Sequence, residues 1–211
     1  MPRICILALA GAGALALPAG ASAAVATLDR PCYVSGQPGT LSLSGFAPNA
    51  MVTLANADLG TRKVLTDATG SFAIQITPPD GRNFPRPGSR EFLISATEDA
   101  NPANTATAAS RIAPLAFATD KGTKSPKATR SWSFSGFVTG QNIYGHFRFK
   151  GQTKGNFRFG RAAGPCGEYK RRAPGIPVKG RVSAGSWRVQ IDHKPTYSAK
   201  TQPSVVGTTV V

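Results

Sequence analysis

Two histidines, three cysteines and ten carboxylates are the residues of this 211-residue chain with the types needed for acid–base, nucleophilic or metal chemistry. An imidazole works as a general base only when a nucleophile and an orienting group lie within hydrogen-bond reach. Asp192-His193-Lys194 sets a carboxylate next to an imidazole, but adjacent strand residues point to opposite faces, so the two do not read as a catalytic pair. His146 has no carboxylate near it in sequence. No nucleophile elbow of the G-x-S-x-G type occurs, no C-x2-C or H-x3-H spacing offers a metal site, and no glycine-rich loop opens a helix. Glu98-Asp99 with Asn101 and Asn104 could lend oxygens to calcium, without the repeated Asp-x-Asp that such loops show. Asp58, Asp67, Asp80, Glu91, Glu98 and Asp99 could include a carboxylate pair for glycoside hydrolysis, yet most stand in turns or at strand ends. The chain is therefore expected to be non-catalytic, with no metal and no cofactor. An extracellular hydrolase is the alternative.

The basic residues carry more information than the acids. Residues 24–113 hold seven Lys and Arg against seven Asp and Glu, a net of zero, whereas residues 114–211 hold 17 against three (Asp120, Glu168 and Asp192), a net of +14. Such asymmetry points one half of the chain toward a polyanion. The competing reading is a charged surface that serves solubility and shields sheet edges.

The elements that must position these charges read as strands. Apolar alternation runs through Leu41-Ser-Leu43, Val52-Thr-Leu54, Phe72-Ala-Ile74-Gln-Ile76, Phe92-Leu-Ile94-Ser-Ala96 and Thr105 to Ile112. Gly45 to Asn49, Asp67 to Gly70 and Pro78 to Gly81 punctuate these runs as turns. Short alternating strands at this spacing predict a sandwich of antiparallel sheets. Gly, Pro, Ser and Thr disfavour long helices, and the chain reads as all-β.

Ser44-Gly45-Phe46-Ala47-Pro48-Asn49 leading to Val52 resembles the G-F-x-P-x-x-x-V turn of bacterial immunoglobulin-like surface and exported domains, as found in high-GC Gram-positive bacteria. Thr66-Asp67-Ala68-Thr69-Gly70-Ser71-Phe72, closing at Pro78-Pro79, is similar to the D-x-x-G-x-F … P hairpin of the same repeats. The resemblance implies a fold and no particular activity. Trp132-Ser-Phe134-Ser-Gly136-Phe137 through Gly140 echoes Leu41-Ser-Leu43-Ser-Gly45-Phe46 through Asn49, which predicts a second sandwich-like unit. That half shows no Asp-x-x-Gly-x-Phe hairpin of its own.

The expected organisation is a signal peptide over 1–23, a charge-neutral immunoglobulin-like sandwich over 24–113 and a basic sandwich-like domain over 114–211. Arg3, the apolar run from Ile4 to Leu17 and Ala21-Ser22-Ala23 have the order of a cleaved secretory signal. The run is shorter than the roughly 20 residues a spanning helix needs, so no transmembrane segment is expected in the mature chain. The polar, basic stretch from Thr119 to Arg130 reads in part as linker. With Cys5 in the signal, Cys32 and Cys166 remain for an oxidising compartment. They pair with each other, stay reduced, or pair between molecules.

Alternation then assigns faces in the basic half. Ile143, Gly145, Phe147 and Phe149 share one face of a strand; Tyr144, His146, Arg148 and Lys150 share the other. In the next run Phe157 and Phe159 oppose Lys154, Asn156 and Arg158, and Gly151-Gln-Thr turns one strand into the other. The expected polyanion surface is Tyr144, His146, Arg148, Lys150, Lys154 and Arg158, with Lys170, Arg171, Arg172 and Arg188 as further contributors. Anionic cell-wall or extracellular polymers are the expected partners. Nucleic acid is not, because alternation turns the phenylalanines toward the core rather than toward bases.

Overall fold

A computed structural model describes residues 23–79, 87–120 and 125–211. Residues 1–22 of the expected signal sequence, the Asp80-Gly81 end of one turn and part of the linker lie outside these residues. Among the described residues every regular element is a strand, and no helix is long and apolar enough to cross a membrane.

The first half contributes β1 (Val25–Leu28), β2 (Cys32–Val34), β3 (Gly39–Ser44), β4 (Met51–Asn56), β5 (Gly60–Leu65), β6 (Phe72–Ile76), β7 (Arg90–Glu98) and β8 (Thr105–Ala113). They form a β1-β3-β6 sheet and a β2-β8-β7-β4-β5 sheet. All pairings are antiparallel except β2 with β8, where Cys32, Tyr33 and Val34 run parallel to Arg111, Ile112 and Ala113. Two largely antiparallel sheets with this order, the first strand divided between them, make an immunoglobulin-like sandwich. Leu41 and Leu43 meet Val52, Leu54, Phe92 and Ile94 in its core.

The second half follows with β9 (Ala116–Thr119), β10 (Thr129–Ser135), β11 (Asn142–Phe149), β12 (Gln152–Arg161), β13 (Tyr169–Pro174), β14 (Ser186–Asp192) and β15 (Val205–Val210). Their sheets, β13-β10-β9 and β12-β11-β14-β15, repeat the order of the first sandwich without a strand equivalent to β2. The core is aromatic: Trp132 and Phe134 each lie 4.8 Å from Phe159 between ring centres, and Phe147 meets Trp132 edge-on at 6.1 Å. The fold is thus all-β, with tandem immunoglobulin-like sandwiches.

The echo between the halves is structural. Gly45 and Asn49 have φ of +76° and +53°, and Gly136 and Gly140 have +77° and +82°. Between them Phe46 and Phe137 each plug a core at 5% exposure. In the first unit this turn packs on the Asp67–Gly70 turn, where Phe46 N donates to Gly70 O at 3.3 Å. In the second, Gly136 N donates to Cys166 O at 2.9 Å. A Cβ on Gly70 would stand 1.9 Å from Phe46 O, and one on Gly167 would stand 1.6 Å from Phe137 O. Gly164-Pro165-Cys166-Gly167-Glu168-Tyr169 therefore occupies the place of Asp67 to Phe72. The second unit does have the hairpin, written in other residues.

Cys32 and Cys166 are joined by a disulfide with their Cα atoms 5.3 Å apart, bridging 134 positions of sequence and tying β2 to that second turn. Beside it Ser89 links the units: Arg111 Nη2 donates to Ser89 Oγ at 2.8 Å, and Ser89 Oγ donates to Glu168 Oε1 at 2.6 Å.

Candidate functional site

The sheet face opposite the aromatic core of the second unit was expected to be a basic stripe. β11 and β12 do form the hairpin, but its turn is Lys150-Gly151, with φ of +48° and +79°. Gln152 and Thr153 already belong to β12. A two-residue turn with both φ positive matches the twist of the flanking strands, which explains its preference over the longer turn expected. The register slips between Phe147 and Arg148, so Phe147 faces Gly155 while Arg148 faces Thr153, leaving Lys154 as the extra residue.

His146 and Arg148 lie on the face opposite the core, but that face is covered there. The segment between β14 and β15 folds back over that face, bringing Tyr197 to a ring distance of 5.9 Å from His146. Beneath it His146 and Asp192 have 0% exposure and Gln190 5%. His146 Nε2 donates to Asp192 Oδ1 at 3.0 Å, while its Nδ1 is paired with the Asn156 side-chain amide at 2.7 Å. Asp192 also accepts from Gln190 Nε2 at 2.8 Å and from Lys194 N at 2.8 Å. Buried charge persists only with such a full set of partners. His146 is thus removed from the expected binding face: it is a buried anchor of the covering segment. An imidazole held by a carboxylate is half of a nucleophile-activating arrangement. Here both ring nitrogens are engaged and the ring is enclosed, so a substrate cannot reach it.

Arg148 is corrected in the same way. Its guanidinium lies 4.3 Å from the centre of the Tyr197 ring and donates to Tyr197 Oη at 2.6 Å and to the Gly151 carbonyl. Its Nε is buried with no partner among the described residues. Arg171 is exposed but also makes contacts within the fold. It donates to the main-chain carbonyls of Arg158 and Phe159 and lies 5.4 Å from the Phe157 ring centre, bridging the edges of the two sheets.

Lys150, Lys154, Arg158, Lys170, Arg171, Arg172 and Arg188 are exposed, and Tyr144 is half-buried. Arg158 is steadied through Nε, which donates to Asn142 Oδ1 at 3.1 Å. Lys154 donates to Gln152 Oε1 at 2.6 Å. Sequence reasoning left out Arg161, His193 and Lys194, which stand beside Arg158 and Tyr144 at one end of the sheet. Two of them belong to the covering segment, whose path no periodicity encodes.

The calcium reading does not fit the geometry of its residues. Glu98 is 5% exposed, and its Oε2 accepts from Ala47 N at 3.2 Å and Asn104 Nδ2 at 2.7 Å. Asp99 is taken by Lys63 at 2.6 Å and by Thr53. Among the described residues no three His, Cys, Asp or Glu side chains gather as metal ligands.

No family model matches the chain, and no curated protein matches it. Solved structures with some likeness include a tetra-tandem repeat from the extending region of a large adhesion protein. It is 19% identical, covers 89% of this chain and 48% of its own, and has a TM-score of 0.30. The Escherichia coli adhesin FdeC is 17% identical over 88% of this chain and 63% of its own, at a TM-score of 0.33. The ligand-binding domain of human OSCAR is 11% identical over 89% of this chain and 98% of its own, at a TM-score of 0.34. The chain thus spans about half the length of the first of these. Superpositions this loose carry no functional inference, and the immunoglobulin-like assignment rests on the strand order itself.

Proposed function

We propose that this chain is an exported, non-catalytic binding module that holds anionic cell-wall or extracellular polymers through its second unit. The observation that carries the reading is the charge imbalance. With 17 basic side chains and three carboxylates between 114 and 211, at least 14 cations lack a carboxylate of their own half. One of the three acids, Asp192, is spent internally. Lys150, Lys154, Arg158, Lys170, Arg171, Arg172 and Arg188 remain exposed. A field of one sign attracts a polyanion over about a Debye length, ~8 Å at physiological ionic strength. Export is supported by the Cys32–Cys166 disulfide, since such bonds persist in oxidising compartments, and by the signal-like start of the sequence. Phe147 and Phe159 are enclosed at 0% exposure, which argues against base stacking and hence against nucleic acid.

Retention of the full chain on immobilised heparin and on purified anionic wall polymer tests this reading. Affinity is expected to fall by roughly three or more orders of magnitude between about 50 and 200 mM salt if six or more charges engage. Retention indifferent to salt would sink the proposal and leave the charge as a solubility device.

A further inference from the structure

At one end of the β12-β11-β14-β15 sheet, a depression of about 530 Å³ opens between the start of β11, the end of β12 and the residues after β14. Arg158, Arg161, Lys194, His193, Tyr144 and Asn142 line it, and no carboxylate does. We propose that this depression binds a single tetrahedral oxyanion, the sulfate or phosphate ester of an extracellular glycan or polyol polymer. The proposal rests on the reading of the second unit as polyanion-binding and assigns it a specific subsite.

Three features make the depression a built site rather than a chance gathering of cations. Arg158 donates through Nε to Asn142 Oδ1, and Arg161 donates through Nε to the Gly140 carbonyl. A guanidinium fixed by Nε keeps its two terminal nitrogens as a fork for an oxyanion, with little further ordering on binding. No hydrogen bond from those terminal nitrogens occurs among the described residues. The third cation stands on an anchored backbone, because Lys194 N donates to the enclosed Asp192, which His146 and Gln190 also hold. The carboxylate nearest in sequence is thereby kept out of the depression. Two forks and an ammonium supply more donors than the two oxygens of a planar carboxylate use, and the oxygens of a sulfate or phosphate ester can take them from several directions. Tyr144, half-buried beside Arg158, offers a ring and a hydroxyl to the polymer unit bearing the ester.

The test uses the full chain in calorimetric titrations with a heparin hexasaccharide, a glycerol phosphate oligomer, oligogalacturonate and duplex DNA. The first three supply sulfate, phosphate and carboxylate. The variant Arg158→Ala/Arg161→Ala/Lys194→Ala is compared with Lys127→Ala/Lys179→Ala/Arg181→Ala, which removes equal charge away from the depression. The first is expected to weaken sulfate or phosphate binding about 30-fold or more, and the second less than about threefold. Tighter binding of heparin than of the glycerol phosphate oligomer, or the reverse, names the source of the ester. Equal loss in both variants overturns the subsite and leaves only a diffuse polyanion surface. No binding by the unchanged chain overturns the subsite and the proposed function together. Oligogalacturonate bound as tightly as the esters overturns the tetrahedral assignment, and duplex DNA bound more tightly than either ester overturns the polymer class. Should the triple alanine variant fail to melt like the parent, Arg158→Lys/Arg161→Lys decides. It keeps the charge and loses the forks, and is expected to bind about fivefold more weakly or worse. Parent-like affinity there overturns the site.

Discussion

At the scale of single residues, burial separates side chains that the sequence makes look alike. His146, Arg148, Lys150 and Arg158 share one strand-face reading, yet the first is enclosed with Asp192, the second lies under Tyr197, and only the last two are exposed. Parity decides which face a residue takes; whether anything covers that face depends on where a loop of 12 residues between β14 and β15 folds. Asp192→Ala is expected to remove the acceptor of His146, Gln190 and Lys194 at once. Breaking a buried pair on one side costs about 3–5 kcal/mol, to be read from urea unfolding of the full chain. A loss under about 1 kcal/mol, ordinary for an exposed substitution, would mean the segment does not rest on this carboxylate. Three carboxyls of the first half contribute an acid dependence. Hydrogen bonds from the Thr69 hydroxyl and the Ser71 and Thr69 amides hold the Asp67 carboxyl below its ordinary value. Lys63 and Thr53 do the same for Asp99, and Tyr33 and the Thr40 amide for Asp29. A carboxyl whose pKa is lowered on folding stabilises the fold fully above its unfolded value of about 4 and loses that contribution as pH falls through the lower folded value. Unfolding midpoints should therefore hold steady from pH 7 to about pH 5 and drop below about pH 4. Asp67→Asn and Asp99→Asn together should flatten the drop, and an unchanged acid limb in that variant would locate the acid sensitivity elsewhere.

Elements were legible in proportion to how regularly they bury one face. β3, β4, β6, β7 and β8 stood out by alternation. β1 and β2 did not, being four and three residues long, nor did β5, where Val64 alone is buried in Gly-Thr-Arg-Lys-Val-Leu. β1 and β2 are too short for a period to show, although Tyr33 of β2 is fully buried, and β5 keeps most of its side chains wet, so no periodicity marks them. The hairpin of the second unit was hidden differently. Its turn needs a glycine whose missing Cβ lets another carbonyl pack close, and Gly167 supplies that, but a Gly-Pro-Cys-Gly sequence stands where the aspartate pattern was sought. Gly70→Ala and Gly167→Ala should behave as equivalent lesions. Each forces a side chain onto a positive φ, +74° and +58°, against a main-chain oxygen. Each should cost more than about 1 kcal/mol, measured by chemical unfolding with the disulfide intact. Tolerance of alanine at 167 with intolerance at 70 would end the equivalence of the two turns.

For the whole molecule the question is how far the two sandwiches depend on each other. Their cores share no residue: Leu41, Val52, Phe92 and Ile94 belong to one, Trp132, Phe147, Phe159 and Trp187 to the other. Every sheet draws its strands from one side of Pro114. At the junction Ala113 O accepts from Ser35 N of the first unit, and Pro114 O accepts from Ser135 Oγ of the second. Backbone satisfaction thus changes hands between 113 and 114, where we propose that the domain boundary lies. Across it run the disulfide and the Arg111–Ser89–Glu168 contacts, which are polar and narrow as between semi-independent domains. Residues 24–113 alone, with Cys32→Ser, should therefore show β-type circular dichroism and melt cooperatively. The cost should be confined to the edge where β2 meets β8. Reducing the intact chain should leave both sandwiches folded while lowering stability by at most about 5 kcal/mol, the chain-entropy value for so long a loop. Non-reducing peptide mapping should recover Cys32 and Cys166 in one linked peptide, and two alkylatable thiols there would remove the staple from this account. If 24–113 is unfolded although the reduced full chain still folds, the disulfide is not what it lacks. The second sandwich would then be part of the first one's fold, and the two would have to be counted as one domain.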